Sequence, residues 1–251
     1  KGQKAKTFVY RIHDVPNPDK LNTFSVFIKR FGYNLKTSGK QTAVSASINA
    51  LLDEVQGKKE QNLIETLAIR SMAKAVYSTS NLGHYGLAFD FYTHFTSPIR
   101  RYPDMMVHRL LEKYAEGGRS VNASEWEEYC QHSSDMEQLA ANAERASIKY
   151  KQVEFMQQYL GEEFDGIISG VASFGFFVET VLHKCEGMVT VRDLNEFDEF
   201  KLDEADYALV GMRTGKKFRM GDAVRIKVVA ANLEKRQLDY HWVQEDGKVA
   251  L

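Results

Sequence analysis

The sequence predicts a multidomain protein of α and β type, in which a mainly helical region is followed by a small five-stranded β-barrel. Apolar residues follow a helical spacing up to about residue 160 and alternate with polar ones from Gly161 onward. A chain of 251 residues is long enough to form one or two domains with buried cores. We therefore expect a helical region over residues 1–160, a barrel over 161–245 and a tail over 246–251.

Five helices are predicted for the first region. The first helix begins with Asn17 as its cap and Pro18 at its first position. The last helix is the longest, and Ser124 and Glu127 have the spacing of a capping box at its start. The other predicted segments are a helix ending at Gly57, a helix over about 62–77, an ordered loop over 78–98 and a helix from about Pro103.

Five short strands follow, a number and length typical of a small closed barrel of OB type. They are predicted at residues 164–168, 174–179, 186–189, 223–229 and 237–240. An acidic segment and then a basic segment separate the third strand from the fourth. Their charged residues are Asp193, Glu196, Asp198, Glu199, Asp203, Glu204 and Asp206, and then Arg213, Lys216, Lys217 and Arg219.

The composition bears on location and partners. No apolar run approaches the roughly 18 residues needed to span a membrane, and the chain shows no signal-peptide pattern. Cys130 and Cys185 are too few for a disulfide framework or a zinc site, which indicates a cytoplasmic protein. The formal net charge of −1 gives no support for a nucleic-acid partner, so local motifs must decide. Because residue 1 is Lys rather than Met, we expect a longer protein.

Residues 92–104, with the sequence YTHFTSPIRRYPD, are the most informative in the chain. They place the hydroxyls of Thr96 and Ser97 and the guanidiniums of Arg100 and Arg101 at the start of a helix. A helix N-terminus carries positive potential and unpaired N–H groups, so this segment is a candidate anion site. The alternative is a capped helix start whose arginines lie in solvent or pair with nearby carboxylates.

This segment is similar to the signature of the ribonuclease II/ribonuclease R (RNB) family of 3′→5′ exoribonucleases. Residues 64–72 and 83–88 also resemble the ribonuclease R branch of that family. The resemblance implies that residues 1–160 are the C-terminal part of an RNB catalytic domain. It also implies that Arg100 holds the RNA phosphate at the catalytic centre, with Thr96, Ser97 and Arg101 as further RNA-binding residues.

A second position of that family lies on the long helix. Residues 143–146, AERA, resemble a family motif whose glutamate influences catalysis and product release, which makes Glu144 a second catalytic candidate. The alternative is an ordinary solvated helix carboxylate. The family implies catalysis with Mg²⁺ held by clustered aspartates, but no such motif occurs in this sequence. We therefore assign no metal ligand here, expect the ligands outside this chain, and expect the chain alone to be inactive.

The second region resembles the OB-fold RNA-binding domain of ribosomal-protein type. The resemblance makes Phe174 and Phe177 the base-stacking pair and places Arg236 near the RNA backbone. Two positions that often carry His and Asp in that domain are Thr190 and Asn232 here. In a strand, alternation would place Phe174 on the same face as residue 176 and Phe177 on the other, so we expect at least one of the pair in the core.

These features are compatible with three functions. The first is part of a processive 3′→5′ exoribonuclease that hydrolyses single-stranded and structured RNA to nucleoside 5′-monophosphates, as a monomer. The alternative is a non-catalytic single-stranded RNA-binding module, which the missing aspartate cluster favours. A protein–protein scaffold has only the acidic segment in its favour. The motif over residues 92–104 favours the first.

Overall fold

The computed structural model describes residues 5–38, 41–58, 60–203 and 206–244, and these divide into two compact units. The first unit extends to Gln56 and includes Ile64–Asn142, and the second includes Gly57–Leu63 and the residues from Ala143 onward. The predicted tail over 246–251 and Glu204 of the acidic segment lie outside the described residues. Within the described ranges, no helix has both the length and the apolar character needed to cross a membrane.

Helices dominate the first unit, as the sequence predicts. The Asn17 side chain accepts hydrogen bonds from the N–H groups of Asp19 (3.0 Å) and Lys20 (3.2 Å), so it caps the helix that Pro18 opens. The helices up to residue 156 are α1 (Pro18–Ile28), α2 (Gln41–Glu54), α3 (Gln61–Ser71), α4 (Tyr102–Ala115) and α5 (Ala123–Met156). The start of α3 and the end of α5 belong to the second unit.

The third helix is shorter than predicted. It ends at Ser71, and Val76–Ser78 form strand β2, which pairs antiparallel with strand β1 (Tyr10–Ile12). The prediction of helix up to residue 77 was wrong because Tyr77 is buried in a core with Val9. Burial of a large side chain outweighs the helix propensity of the residues before it.

The start of α5 does not use the predicted capping box. The Asn122 side chain accepts the Ser124 N–H (2.9 Å), while Glu127 accepts bonds from the Ser78 hydroxyl (2.8 Å) and the Thr79 N–H (2.6 Å). Although burial opposes its charged form, the bonds from Thr79 and Ser78 hold the pKa of Glu127 below its usual value. The prediction was wrong because tertiary partners almost fifty residues away bind this carboxylate.

The predicted barrel forms the centre of the second unit. Its strands are β3 (Glu163–Ala172), β4 (Gly175–Thr180), β5 (Glu186–Thr190), β9 (Ala223–Asn232) and β10 (Gln237–Trp242), closed in the order β10-β5-β4-β3-β9. All neighbours are antiparallel except β10 and β5. Val153 and Met156 at the end of α5 belong to the same core as the inward side chains of the strands. The predicted fold class is confirmed.

A small antiparallel sheet, which the sequence analysis missed, lies between β5 and β9 in the chain. It follows the short helix α6 (Val191–Leu194) and consists of β6 (Phe200–Asp203), β7 (Ala208–Gly211) and β8 (Lys217–Arg219). Phe200, Leu209 and Phe218 join the barrel core. Strands of three or four residues among many charges give too little alternation to be recognised.

A buried aspartate stabilises this part of the second unit. Asp198 is 1% exposed, and its carboxylate accepts bonds from the Thr214 hydroxyl (2.6 Å), the Thr214 N–H (2.8 Å) and the Arg213 N–H (3.2 Å). The Thr214 hydroxyl and these N–H groups hold the pKa of Asp198 well below its usual range. Gly211 is required beside it, because a Cβ would lie 2.5 Å from Asp198 Oδ2. Asp198 is therefore structural and not part of an exposed acidic surface.

We predict that Asp198→Asn lowers the melting temperature of the chain by several degrees, because an amide cannot accept all of these bonds. A carboxyl whose folded pKa is depressed stabilises the protein above its unfolded pKa of about 4, and this contribution is lost as the pH falls. Thermal unfolding followed by circular dichroism from about pH 7 to about pH 3 checks both effects. The acid loss of stability should be smaller in Asp198→Asn than in the unmodified chain.

The exposed neighbour Glu196 provides the control, because Glu196→Gln removes a carboxylate of the same segment. Its melting temperature should match that of the unmodified chain at every pH. Equal melting curves for Asp198→Asn and Glu196→Gln would show that Asp198 is not a structural anchor.

Candidate nucleic-acid interface

Residues 96–104, the arginine turn, connect the loop after β2 to α4. The N–H groups of Arg100 (3.2 Å) and Arg101 (3.0 Å) both donate to the Ser97 carbonyl oxygen. The Ser97 N–H donates to Asp104 Oδ2 (2.7 Å). Both backbone polar groups of Ser97 are thus bonded inside the turn, and these bonds fix the path of its backbone.

The two arginines of the turn have different environments. Arg101 donates from Nη2 to Asp104 Oδ2 (2.9 Å), and its side chain is 22% exposed while that of Asp104 is 0% exposed. Arg100 is exposed, and the described part of the chain offers its side chain no hydrogen bond or ion pair. Arg100 is therefore the guanidinium of this turn that is available to an external anion.

The helix start itself already holds an anion. Asp104 lies in the first turn of α4, where a negative charge is favourable. The N–H groups of Ser97, Arg100, Arg101 and Asp104 all have acceptors inside the turn. The anion bound at this helix N-terminus is thus the side chain of Asp104. An external phosphate would meet the side chains of the turn, including exposed Thr96 and half-buried Ser97, rather than these N–H groups.

A cluster that the sequence analysis did not single out lies beside Arg101. The Tyr77 hydroxyl is 2.8 Å from His94 Nδ1, and the Arg11 guanidinium lies 4.6 Å from the centre of the Tyr77 ring and pairs with Glu137. Burial raises the pKa of Tyr77 to about 12, and burial together with the charges of Arg101 and Arg11 lowers the pKa of His94. Both groups are therefore uncharged at neutral pH. No local pattern marks this cluster, because its members are far apart in the sequence.

Contacts with β1 and with His13, the residue after it, hold the loop that leads to the arginine turn. The Arg11 N–H donates to the Tyr92 carbonyl oxygen (2.9 Å). The His13 ring accepts the Gly86 N–H at Nδ1 (3.1 Å), while Nε2 is 2.9 Å from the Ala73 carbonyl oxygen. Accepting at Nδ1 places the proton on Nε2, which then donates to Ala73. The two bonds of the His13 ring therefore connect the segment after β1 with Ala73 and Gly86.

Glu144, the second catalytic candidate, is exposed on α5 and belongs to the second compact unit, whereas Arg100 belongs to the first. Across the described residues, the Glu144 side chain has no hydrogen-bond partner. Its catalytic role remains a prediction.

Phe174 and Phe177 lie next to each other outside the barrel core. Their ring centroids are 6.2 Å apart and the ring planes are nearly perpendicular, at 86°. Phe174 is 58% exposed, and the half-buried Phe177 ring lies across Gly170, where a Cβ would be 3.5 Å away. The fully buried ring is Phe176, which stacks on Phe218 with centroids 4.8 Å apart.

Strand alternation therefore misplaced Phe174, and the expectation that one of the pair is in the core was wrong. Strand β4 begins only at Gly175, so Phe174 lies in the preceding turn and does not share the inward face of Phe176. Gly175 is necessary there, because a Cβ would lie 2.3 Å from the Val189 carbonyl oxygen. The turn brings both predicted stacking residues together, and their binding to RNA remains a prediction.

Three polar positions of the barrel differ in what they can still bind. Thr190 accepts the Asp193 N–H (3.2 Å) and donates to its carboxylate (2.7 Å), so it caps α6. Asn232 accepts the Lys235 N–H (2.9 Å) in the turn between β9 and β10. Arg236 in the same turn has a φ of 53° and an exposed side chain. The side chains of Thr190 and Asn232 are hydrogen-bonded within the chain. The Arg236 guanidinium has no hydrogen-bond acceptor among the described residues.

Several cations of the second unit are paired internally. The contacts are Arg213 with Asp198 (3.3 Å), Lys217 with Asp206 (3.2 Å), Arg225 with Asp165 (2.8 Å), and the Lys216 amino group 5.2 Å from the centre of a Trp242 ring. The basic segment therefore offers less charge to an external polyanion than its composition indicates.

No candidate metal centre is found in the part of the chain that the structure describes. No group of three or more His, Cys, Asp or Glu side chains there is arranged to hold a metal ion. The described residues therefore form no site that fits Mg²⁺, which prefers several carboxylate, phosphate or water oxygens as ligands.

Comparisons with known proteins agree with this organisation. Residues 2–117 match the RNB domain and residues 158–240 match the S1 RNA binding domain. Ribonuclease R of Aquifex aeolicus is 39% identical over 240 residues, which are 94% of this chain and 34% of that protein. Ribonuclease R 1 of Lactococcus lactis is 39% identical over 245 residues, 95% of this chain and 30% of that protein.

A solved structure shows the same fold. Mycoplasma genitalium RNase R in complex with ribose methylated single-stranded RNA superimposes with a TM-score of 0.83 at 25% identity, covering 95% of this chain and 38% of that one. The chain spans about a third of the length of the curated relatives it matches. With an RNB-domain region followed by an S1 RNA binding domain, the chain belongs to the ribonuclease R family.

Proposed function

We propose that the chain is part of a processive 3′→5′ exoribonuclease that hydrolyses RNA to nucleoside 5′-monophosphates. The observation that carries this proposal is Arg100, an exposed guanidinium on a turn whose backbone polar groups and second arginine are bonded internally. A guanidinium held in this way can bind two oxygens of one phosphate through its planar fork. Family membership and the RNA-bound relative support RNA as the source of that phosphate.

In this proposal the residues of the two units have separate tasks. Arg100 binds and orients the phosphate that reacts, with Thr96 and Ser97 beside it, and Glu144 influences catalysis and product release. Mg²⁺ would supply an activated water and stabilise the leaving oxygen. Because the described residues do not fit that ion, we place its ligands in the part of the relatives' length that this chain does not span.

The barrel is proposed to hold single-stranded RNA. Phe174 and Phe177 offer ring faces on which bases stack regardless of sequence, and Arg236 offers one cation to the backbone. We extend the proposal to structured RNA as a further substrate, to a monomeric state and to a cytoplasmic location. The alternative function is an RNA-binding module without catalysis, and the observation in its favour is that no metal-ligand group occurs among the described residues.

We predict that the 251-residue chain alone binds single-stranded RNA but does not shorten it. The physical reason is that phosphodiester hydrolysis in this proposal needs Mg²⁺, whose ligands lie elsewhere. The measurement is incubation of a 5′-labelled RNA with the purified chain and Mg²⁺, followed by gel electrophoresis. Progressive shortening that persists in a preparation freed of contaminating nucleases would refute this division of tasks.

In the longer protein, Arg100→Ala is predicted to lower kcat by about 100-fold while RNA affinity changes less than about three-fold. Many contacts share the binding, whereas one guanidinium meets the reacting phosphate. Arg100→Lys should recover little, because an ammonium lacks the planar fork. Single-turnover and equilibrium binding measurements on the same RNA separate the two quantities.

Arg119 supplies the matched control for this prediction, because it is also an exposed arginine of the first unit but lies outside the arginine turn. Arg119→Ala should leave kcat unchanged. An Arg100→Ala variant that is as active as Arg119→Ala would assign Arg100 to ordinary solvent-exposed charge.

For the barrel, Phe174→Ala should weaken single-stranded RNA binding about five-fold or more, because base stacking contributes roughly 1–3 kcal/mol. The melting temperature should hardly change, since the ring is mostly exposed. Phe177→Ala should lose both affinity and some stability, because its ring is half-buried. Fluorescence anisotropy with a labelled oligonucleotide and thermal unfolding are measured on each variant.

Phe176 provides the opposite control, since it is buried and stacked on Phe218. Phe176→Ala should lose about 3–5 kcal/mol of stability without a change in affinity of the folded fraction. If Phe174→Ala and Phe177→Ala retain full affinity, RNA binds to another surface of the chain.

A further inference from the structure

The buried carboxylate of Asp104 is the most connected side chain of the arginine turn. It is shielded completely from solvent, and its Oδ2 atom accepts both the Ser97 N–H (2.7 Å) and Arg101 Nη2 (2.9 Å). The Ser97 carbonyl oxygen in turn accepts the N–H groups of Arg100 and Arg101. A continuous series of hydrogen bonds therefore leads from Asp104 through the Ser97 peptide group to the backbone of Arg100.

These bonds fix the backbone position of Arg100, and with it the position of the Arg100 Cβ. A turn is held in one conformation only when its backbone polar groups have fixed partners. Here the partner of the Ser97 N–H is a charged acceptor, which makes a stronger bond than a neutral one. Loss of that acceptor would release the N-terminal end of the turn, and Arg100 would leave the position from which it reaches a phosphate.

Arg101 has a different task from the one that its position in the motif implies. Its guanidinium neutralises Asp104, and a buried carboxylate without such a partner is strongly unfavourable. Only one of the two possible bonds of the pair is made: Arg101 Nε and Asp104 Oδ1 are both buried and have no partner in the described parts of the chain. A lysine, which can make the one bond to Asp104, could therefore replace Arg101. Arg100 needs the planar guanidinium, because in the proposed function it binds two oxygens of one phosphate.

We propose that Asp104 is a positioning residue for Arg100, and that Arg101 serves as the counter-charge of Asp104 instead of binding RNA. The inference rests on the proposed function, because it requires Arg100 to meet the phosphate that reacts. It adds the residue that holds the arginine in place, and it separates the tasks of two adjacent arginines.

The experiment uses the intact longer protein and measures kcat, KM and melting temperature on labelled single-stranded RNA. Asp104→Asn should lower kcat at least about ten-fold with KM changed less than about three-fold, since only the placement of one catalytic contact is lost. The double variant Arg100→Ala/Asp104→Asn should be no slower than Arg100→Ala alone, because Asp104 acts through Arg100. A purely structural residue would instead slow the Arg100→Ala variant further.

Arg101→Lys keeps the charge beside Asp104 and tests the second half of the inference even if Asp104→Asn does not fold. Its kcat should stay within about three-fold of the unmodified protein, while Arg100→Lys should lose at least about ten-fold. Equal losses for the two lysine variants, or multiplying losses in the double variant, would overturn the inference while leaving the proposed function intact. An intact protein that does not shorten RNA at all would refute the proposed function and this inference with it.

Discussion

A carboxylate shielded from water must find hydrogen-bond donors or a counter-charge, and each compact unit contains such a buried carboxylate among its described residues. In the first unit Asp104 draws in the Ser97 N–H and the Arg101 guanidinium, and so shapes the arginine turn. In the second unit Asp198 gathers the N–H groups and hydroxyl at residues 213–214 and so anchors the small sheet beside the barrel. The donors that each carboxylate needs fix the backbone around it.

The same requirement bears on how a chain with a formal charge near zero would present the polyanion site proposed above. Cations such as Arg101 and Arg213 form ion pairs with buried carboxylates, which offset part of their positive charge. What remains are a few exposed guanidiniums, Arg100 and Arg236 among them, together with the exposed ring of Phe174. Contacts of this kind depend on position and stacking more than on total charge.

The two units also separate the tasks that the proposed function requires. A turn braced by internal bonds can hold one guanidinium in a fixed place, which favours a transition-state contact over general affinity. A barrel with two adjacent rings on its surface can hold a strand whose sequence changes as it moves, because every base has a face to stack. Since one fold can carry catalysis or binding alone, the chemistry of Arg100 and the aromatic pair, rather than the architecture, must decide between them.

The sequence alone determined the succession of five helices and five barrel strands, the Asn17 cap, the OB-type barrel and the family, because these depend on local spacing and on contiguous motifs. The tertiary structure alone decided which polar groups far apart in the sequence bind each other. Glu127 left its predicted capping box for partners almost fifty residues away, Asp198 became buried, and a turn at Gly175 placed Phe174 outside the core. Local spacing of apolar residues predicts whether a segment is a helix or a strand. It does not predict the partners of a buried charge, because those partners are near in space and far apart in the sequence.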